Sequence, residues 1–274
     1  MNWDVHFPST VEGTGWHREL KSVGVEIEGL IGNIEPLTEA LRDMLPSEEP
    51  GSIYEMEDQY GRLGIHEDGS IRRFGELSME PIEITYWSTE PTEVWEFVSW
   101  LWRECEFHTN ESCGTHVHVR PQGDPYALAT PYYVHSFLRA YRQHFAGNVK
   151  YIDRLNCHWC APRYPRRYWS SFWRNGSVDR YQAVNPMSLE KVGAGTIEHR
   201  ILPHMENPAE FQDSVGWLAD TSGAIIAKMK GIKAPLKVAD LDAGFGTHRW
   251  SPSSLDLTDF VERGKGWADK LEVL

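Results

Sequence analysis

Two histidines, His116 and His118, lie two residues apart in the segment SCGTHVHVR (residues 112–120). The residues around them are small or β-branched, which favours a β-strand. Residues i and i+2 of a strand project from the same face, so both imidazoles would point into one site or onto one surface. A His-x-His pair alone is a weak signal for a site. The prediction of a site becomes stronger if other polar residues project from the same face of the sheet.

Charged residues repeat this spacing in two other strand-like segments. Glu26 and Glu28 lie two residues apart in the run VEIE, and Glu198 and Arg200 lie two apart in the run TIEHR. Either run alone is typical of a solvated strand face. If the three segments belong to one sheet, a single polar pocket is lined by Glu26, Glu28, His116, His118, Glu198 and Arg200.

The residue types at these positions suit divalent cations. Carboxylate oxygens bind Mg²⁺ and Mn²⁺, and an added imidazole is compatible with either ion. Several carboxylates in one pocket repel one another unless cations or guanidinium groups balance them. Arg200 would supply part of that balance, and arginine binds phosphate oxygens in bidentate fashion. Acids, a histidine and arginines together indicate chemistry on a metal-bound nucleotide.

Five short motifs follow one another along the chain. They are GVEIE (residues 24–28), DGS (68–70) with GELS (75–78), CGTHVHV (113–119), RY (180–181) with Asn185, and GTIEHR (195–200). Their order resembles that of the amidoligases, which belong to the carboxylate–amine ligase superfamily together with glutamine synthetase and glutamate–cysteine ligase. The resemblance covers about residues 22–205. Each motif alone is short, and the ordered set is considerably more specific.

The resemblance implies a glutamine synthetase-like fold and an ATP-dependent reaction. In this fold a curved, mostly antiparallel sheet has helices on one face, and its concave face binds ATP with two or three Mg²⁺ or Mn²⁺ ions. The γ-phosphate moves to a carboxylate, which gives an acyl phosphate. An amine then displaces phosphate and leaves an amide or isopeptide bond. The metal ions clamp phosphate oxygens and offset the developing charge.

The resemblance also implies roles for individual residues. The implied metal ligands are Glu26, Glu28, Asp68, Glu76, His116 and Glu198. The implied catalytic residues are Glu76, Glu198 and Arg200, of which Arg200 would contact phosphate or the transition state. The implied contacts with nucleotide or substrate are His118, Arg180 and Asn185. Apart from the family motifs, the arginine cluster Arg163, Arg166 and Arg167 is a further candidate for nucleotide or carboxylate contacts.

Two positions depart from the family pattern. After the GELS motif the family places a proline directly, whereas Met79 and Glu80 precede Pro81 in this chain. Glu80 could therefore share or replace the role of Glu76. His199 stands where the family often has an aromatic residue, and we interpret it as a change in sheet packing.

Hydrophobic periodicity predicts a single α+β domain over residues 1–274. The predicted strands are residues 22–31, 63–66, 76–85, 115–120, 180–184 and 196–202, with a turn at 67–70, and the predicted helices are 37–45, 91–107, 131–145 and 208–230, with a short helix after Pro252. Thr89 or Thr92 is expected to cap the second helix. Residues 46–61 are expected to form a loop and residues 148–176 to be irregular. One sheet face should carry polar groups while helices cover the other.

The formal net charge is −13, from 27 Lys and Arg against 40 Asp and Glu. This balance counts against a general nucleic-acid-binding surface. The family resemblance implies a small-molecule or peptide carboxylate and an amine as the partners. The first twenty residues lack the apolar region of a signal peptide, and no run approaches the roughly 20 apolar residues that cross a bilayer. We expect a soluble, cytoplasmic protein without membrane contact. The oligomeric state is open.

Cys157 and Cys160 form a lone C-x-x-C pair. Two such pairs at the right spacing would strongly indicate structural zinc, whereas one pair is a weak signal. Buried free thiols are the favoured interpretation of these cysteines, and a zinc site is the alternative.

Two other functions compete with the ligase interpretation. A metal-dependent hydrolase could use the His-x-His pair and the acids to hold Zn²⁺ and activate water. The arginines count against it, because a hydrolase does not need to bind phosphate. A non-catalytic module stapled by zinc at Cys157 and Cys160 would leave the inward-facing acids unexplained.

Overall fold

An antiparallel sheet lies at the centre of the part of the chain that the structure describes. This computed structural model describes residues 16–42, 55–57, 63–73, 79–123, 131–160, 162, 181–186, 188 and 195–231. The strands are β1 (Leu20–Ile31), β2 (Glu55–Glu57), β3 (Leu63–Glu67), β4 (Glu80–Ser88), β5 (Phe107–His108), β6 (Gly114–Pro121), β7 (Val184–Asn185) and β8 (Ile197–Pro203). Their order is β2-β3-β4-β1-β6-β8-β7, with β5 paired to β1. The predicted α+β class and antiparallel sheet are confirmed.

Five helices accompany the sheet within the described ranges. They are α1 (Glu35–Arg42), α2 (Pro91–Glu104), α3 (Pro131–His144), α4 (Val149–Arg154) and α5 (Pro208–Gly231), and a single 3₁₀ turn spans His158–Cys160. The helix α2 packs against β4 and β5, and α5 packs against β1 and β6. None of the described helices is both long enough and apolar enough to cross a membrane.

Alternate residues of β1 separate the two faces of the sheet. Val23, Val25 and Ile27 are buried in the hydrophobic core, which also contains the apolar side chains of α2 and α5. On the same face, Tyr86 of β4 stacks on Phe97 of α2 with 4.3 Å between ring centroids. Successive strand residues point to opposite faces, so the acids that alternate with this apolar set project away from the helices.

His199 belongs to the helix-covered face. Its ring is fully buried, 4.4 Å from the ring of Phe137, and its Nε2 lies 2.9 Å from the Tyr133 hydroxyl. Burial lowers the pKa of His199 to about 3, so the imidazole is neutral. These contacts support the interpretation of His199 as a packing residue.

The second helix ends earlier than predicted, and its cap differs. The helix α2 stops at Glu104, and the left-handed Glu106 (φ 49°) turns the chain so that Phe107 enters β5. Neither Thr89 nor Thr92 caps it, since Glu90 occupies the capping position in an extended conformation without a side-chain bond. The hydroxyl of Ser88 accepts the Glu90 N–H at 2.9 Å instead.

Other predicted boundaries also need correction. The strand predicted at 76–85 corresponds to β4, which begins at Glu80 among the described residues and continues to Ser88. The Arg72 N–H donates to the Ser112 hydroxyl at 2.9 Å, and the Asn110 amide donates to the Arg72 carbonyl at 2.8 Å. These two bonds hold Arg72 against the loop before β6.

Two stretches expected to lack regular structure contain short elements. The predicted loop 46–61 includes β2, which pairs with β3. The predicted irregular segment 148–176 includes α4 and the 3₁₀ turn. The predicted strand at 180–184 is reduced to β7, which begins at Val184. The short helix expected after Pro252 lies outside the described residues.

Gly29 on β1 provides a test of core packing. An added Cβ would lie 2.1 Å from Phe107 Cζ and 2.8 Å from the His108 carbonyl oxygen. We expect Gly29→Ala to lower the free energy of unfolding by about 1–3 kcal/mol in urea denaturation, because overpacking forces neighbouring groups apart. Gly69→Ala is the control, since its Cβ would meet no described atom within 4 Å. Equal unfolding midpoints for the two variants would contradict the close packing of Phe107 of β5 against Gly29 of β1.

Candidate metal centre

Strand register brings the polar residues of the uncovered face together. Glu26 of β1 is directly opposite His116 of β6, and His118 is directly opposite Glu198 of β8. Across the other edge of β1, Glu28 is opposite Glu83 of β4. Directly paired residues of an antiparallel sheet project to the same face, so this register assembles one cluster from four strands.

The imidazole of His116 lies at the centre of the cluster with only 1% of its side chain exposed. Its Nδ1 is 2.8 Å from Glu26 Oε2 and 3.5 Å from Glu198 Oε1. Its Nε2 is 3.3 Å from Glu28 Oε1. Carboxylates therefore approach both nitrogen atoms of one buried ring.

The hydrogen bonds of His116 select a tautomer for the neutral form of its imidazole. Glu26 can only accept at its ionised carboxylate, so we assign the imidazole hydrogen to Nδ1 as the donor to Glu26. Among the described residues Nε2 has no hydrogen-bond partner, although it is buried. Its lone pair then faces the Glu28 side of the cluster. A metal-bound histidine usually donates its other nitrogen to a carboxylate in this way.

Two groups of side chains have the geometry to hold a cation, and both include His116. One consists of Glu26, His116 and Glu198, and the other of Glu28, Glu83 and His116, with candidate ligand atoms within 4.8 Å of one another in each group. A neutral imidazole has one lone pair, so the assigned tautomer serves the Glu28–Glu83 group. Oxygen-rich ligand sets of this kind suit Mg²⁺ and Mn²⁺.

Glu83 is a member of the cluster that the sequence analysis missed. Its signal was the run IEIT, in which Glu83 alternates with Ile82 and Ile84 as Glu26 alternates with its apolar neighbours. Burial raises the pKa of Glu83 to about 7, and repulsion from Glu26 adds to the shift, while His116 partly opposes it. Without a cation, Glu83 therefore retains a proton near neutral pH.

Glu26 has the opposite shift. Burial alone would raise its pKa, but His118 and His116 hold it well below the usual range. Glu26 Oε1 lies 2.8 Å from His118 Nε2, and His118 Nδ1 lies 3.3 Å from the Thr196 hydroxyl. Glu26 thus remains ionised and joins the two imidazoles predicted from the sequence.

Glu198 is held by two neighbours that the sequence also singled out. The Asn185 amide donates to Glu198 Oε2 at 2.7 Å, and Arg200 Nη1 donates to Glu198 Oε1. Burial would lower the pKa of Arg200, but Glu198 and the other carboxylates raise it. The buried Arg200 Nε has no hydrogen-bond partner among the described residues. Asn185 and Arg200 therefore orient Glu198, and one guanidinium N–H remains available.

Glu28 is positioned by the backbone. The Gly114 N–H donates to Glu28 Oε2 at 2.6 Å. A Cβ on Gly114 would lie 2.0 Å from Arg154 Nη2, so the guanidinium of this α4 residue occupies the space above the glycine. Arg154 was not among the predicted site residues, because no sequence spacing links it to β6.

Among the described residues, Asp68 and Glu80 belong to neither cation group. The Oδ1 of Asp68 accepts the Ser70 N–H at 2.8 Å. Glu80 is 3.0 Å from Arg73 at the start of β4, with 41% of its side chain exposed. The predicted site residues that lie outside the described ranges are Glu76, Arg167 and Arg180.

Comparison with models of known protein families, with curated proteins and with solved structures gives no match for this chain. The interpretation of the cluster therefore rests on its own geometry and on the sequence motifs. That geometry is an acidic cluster with a central imidazole and a buried guanidinium.

The raised pKa of Glu83 makes the stability of the metal-free protein depend on pH. As pH rises from 4.5 towards 7, the unfolded chain loses the Glu83 proton before the folded chain does, so this group's contribution to stability is lost. We expect Glu83→Gln to unfold like the wild type near pH 4.5. At pH 8 the variant should be more stable by up to about 3 kcal/mol.

Urea denaturation in the presence of a chelator measures this difference at both pH values. Glu80→Gln is the matched control, because Glu80 is half exposed and paired with Arg73. A Glu83→Gln advantage that is absent at pH 8, or equally large at both pH values, would contradict the buried position of Glu83 among like charges.

Proposed function

We propose that this protein is an ATP-dependent carboxylate–amine ligase that forms an amide or isopeptide bond through an acyl phosphate. The observation that carries the proposal is the combination of an oxygen-rich cation cluster with a buried arginine on the same sheet face. The ordered motifs of the amidoligase resemblance lead to the same reaction. We accordingly propose a glutamine synthetase-like arrangement of the antiparallel sheet.

The donor groups of the cluster fit divalent cations. The buried Nε2 of His116 lacks a hydrogen-bond partner among the described residues and lies 3.3 Å from Glu28 Oε1. Glu28, Glu83 and His116 would hold one Mg²⁺ or Mn²⁺, and Glu26 with Glu198 would contribute to a second. Bound cations would neutralise phosphate oxygens and offset charge that develops during phosphoryl transfer.

Arg200 would supply a contact with a phosphate oxygen, which a ligase that uses ATP needs and a hydrolase does not. Its Nη1 donates to Glu198, while its buried Nε lacks a partner among the described residues. A guanidinium held in one orientation by a carboxylate can donate its remaining N–H groups to a phosphate oxygen. We assign Arg200 to the transferred phosphoryl group and Asn185 to the orientation of Glu198, rather than to direct nucleotide binding.

A metal-dependent hydrolase is the second candidate. The same buried Nε2 of His116, flanked by Glu28 and Glu83, is a donor set that also accepts Zn²⁺. A zinc-bound water would then be the nucleophile. This candidate gives no role to the Nε–H of Arg200, which has no partner within the described part of the chain, and we therefore rank it below the ligase. Zinc near one ion per chain without nucleotide binding would favour it.

Calorimetric titration with a non-hydrolysable ATP analogue tests the ligase proposal without knowledge of the substrates. We expect binding that requires Mn²⁺ or Mg²⁺ in the wild type, and an affinity reduced at least about tenfold in Glu198→Gln, because one cation ligand is lost. Glu80→Gln should bind like the wild type. An absence of nucleotide binding with either ion, in a folded protein, would overturn the proposal.

Arg200→Lys separates the ligase from the hydrolase. Lysine keeps the positive charge near Glu198 but loses the planar guanidinium and its Nε–H. We expect Mn²⁺ affinity to change by less than about threefold, while affinity for the ATP analogue falls by at least about tenfold. Equal losses for both ligands would mean that Arg200 acts only through Glu198.

Hydroxylamine trapping then identifies the carboxylate substrate. An acyl phosphate reacts with hydroxylamine to form a hydroxamate, so candidate acids can be screened with ATP and Mg²⁺ in the absence of the amine. We expect hydroxamate only with wild-type protein and not with Glu198→Gln.

A further inference from the structure

Cys157 and Cys160 lie side by side after α4, where Cys157 precedes the 3₁₀ turn and Cys160 is its last residue. Both are free thiols, and their Sγ atoms are 3.4 Å apart. Cys157 is partly exposed, whereas Cys160 is buried. The two sulfur atoms are thus already neighbours, and one of them can be reached from solvent.

The surroundings of the pair favour a thiolate on Cys157. The Cys160 thiol is within donating distance of Cys157 Sγ, at 3.4 Å. Backbone N–H groups of Cys160 and Trp159 point towards Cys157, and the Arg154 guanidinium lies nearby. These groups lower the pKa of Cys157 to about 5 in spite of burial, and the pKa of Cys160 is raised. Cys160 has a second acceptor in reach, the Arg154 carbonyl oxygen, but an ionised Cys157 is the stronger acceptor for its single hydrogen.

We propose that Cys157 and Cys160 form a redox-active dithiol that cycles with an intramolecular disulfide. The oxidant is a small-molecule disulfide. The Cys157 thiolate attacks one sulfur of that disulfide, forms a mixed disulfide and releases the other sulfur as a thiolate. Cys160, after losing its proton to that thiolate, attacks Cys157 Sγ and expels the second small thiolate. Two protein thiols are oxidised, and one external disulfide is reduced to two thiols.

The geometry favours this reaction over a structural zinc site. A disulfide bond of about 2.05 Å needs the two sulfur atoms to approach by only a small movement within one turn. Structural zinc needs four ligands. Among the described residues no third His, Cys, Asp or Glu ligand groups with the pair, and the side chain of His158 lies outside the described set.

The pair is distinct from the metal centre but touches the residues that support it. Trp159, between the two cysteines, makes an edge contact with Tyr181 at 4.9 Å, and the guanidinium of Arg200 lies 6.0 Å from the Tyr181 ring centre. Arg154 packs over Gly114 on the other side. The dithiol proposal stands without the ligase reaction, because it uses only the sulfur atoms and their immediate neighbours.

The test uses the full chain, reduced and then equilibrated in buffers with different ratios of reduced to oxidised glutathione. Samples are quenched with acid, free thiols are alkylated, and peptides are identified by mass spectrometry. We expect one disulfide, between Cys157 and Cys160, that forms and is lost reversibly across the series. Cys105 and Cys113 are internal controls, because burial raises their pKa values to about 12 and about 11. They should remain reduced throughout.

Single variants separate the roles of the two thiols. Cys160→Ser should accumulate a stable mixed disulfide with glutathione at Cys157, while Cys157→Ser should form none at Cys160. In the reduced wild type at about pH 6, iodoacetamide should modify Cys157 at least roughly tenfold faster than Cys160. If either variant fails to fold, the disulfide mapping in the wild type decides.

Three results would overturn the proposal. The first is a Cys157–Cys160 pair that stays reduced in fully oxidised glutathione. The second is a disulfide that joins either residue to Cys105 or Cys113. The third is zinc bound at about one ion per chain that is lost in Cys157→Ser and prevents oxidation of the wild type.

Discussion

Four carboxylates share one sheet face around the buried imidazole of His116, and their mutual repulsion is the constraint on which the rest of the site depends. Each carboxylate would be expensive to keep near the others without compensation. The chain compensates locally: Gly114 donates to Glu28, two imidazoles approach Glu26, and Asn185 and Arg200 bond Glu198. Glu83 is compensated only in part by His116 among the described residues, and burial with the neighbouring carboxylates raises its pKa to about 7. Apolar burial on the helix-covered face offsets the free-energy cost of placing these carboxylates together.

The sequence was sufficient to assign residues to one or the other face of the sheet, but not to identify their cross-strand partners. Alternation in β1, β6 and β8 correctly separated the residues that project from the uncovered face from those in the core. Alternation has a period of two and says nothing about which residue of one strand lies opposite which residue of the next. Glu83 lies opposite Glu28 through the register of β1 and β4, while Glu80 at the start of the same strand bonds Arg73. The family resemblance drew attention to Glu76 rather than to the IEIT run.

Supporting residues were equally hard to predict, because they come from distant parts of the chain. Arg154 belongs to a short helix within a segment that was expected to be irregular, and its guanidinium lies against Gly114, whose N–H bonds Glu28. The irregular pairing between β6 and β8, where the register shifts between Thr115 and Val117, is likewise absent from any hydrophobic pattern. Such features arise from tertiary contacts, which local sequence does not encode.

The two cation groups are not equivalent, and the reason lies in Glu26. Its two oxygen atoms already contact His116 and His118, each at 2.8 Å. A cation that drew on Glu26 would compete with both imidazoles, so it would need His118 to turn away or to give up a proton. A cation between Glu28 and Glu83 would not compete with His118, since the lone pair of the assigned His116 tautomer points towards that position. Such a cation would displace the Glu83 proton. Of the two proposed cation positions, the one between Glu28 and Glu83 is therefore preorganised, whereas occupation of the one at Glu26 is coupled to His118. When a cation occupies the first position, Glu26 would be the anion that orients His116.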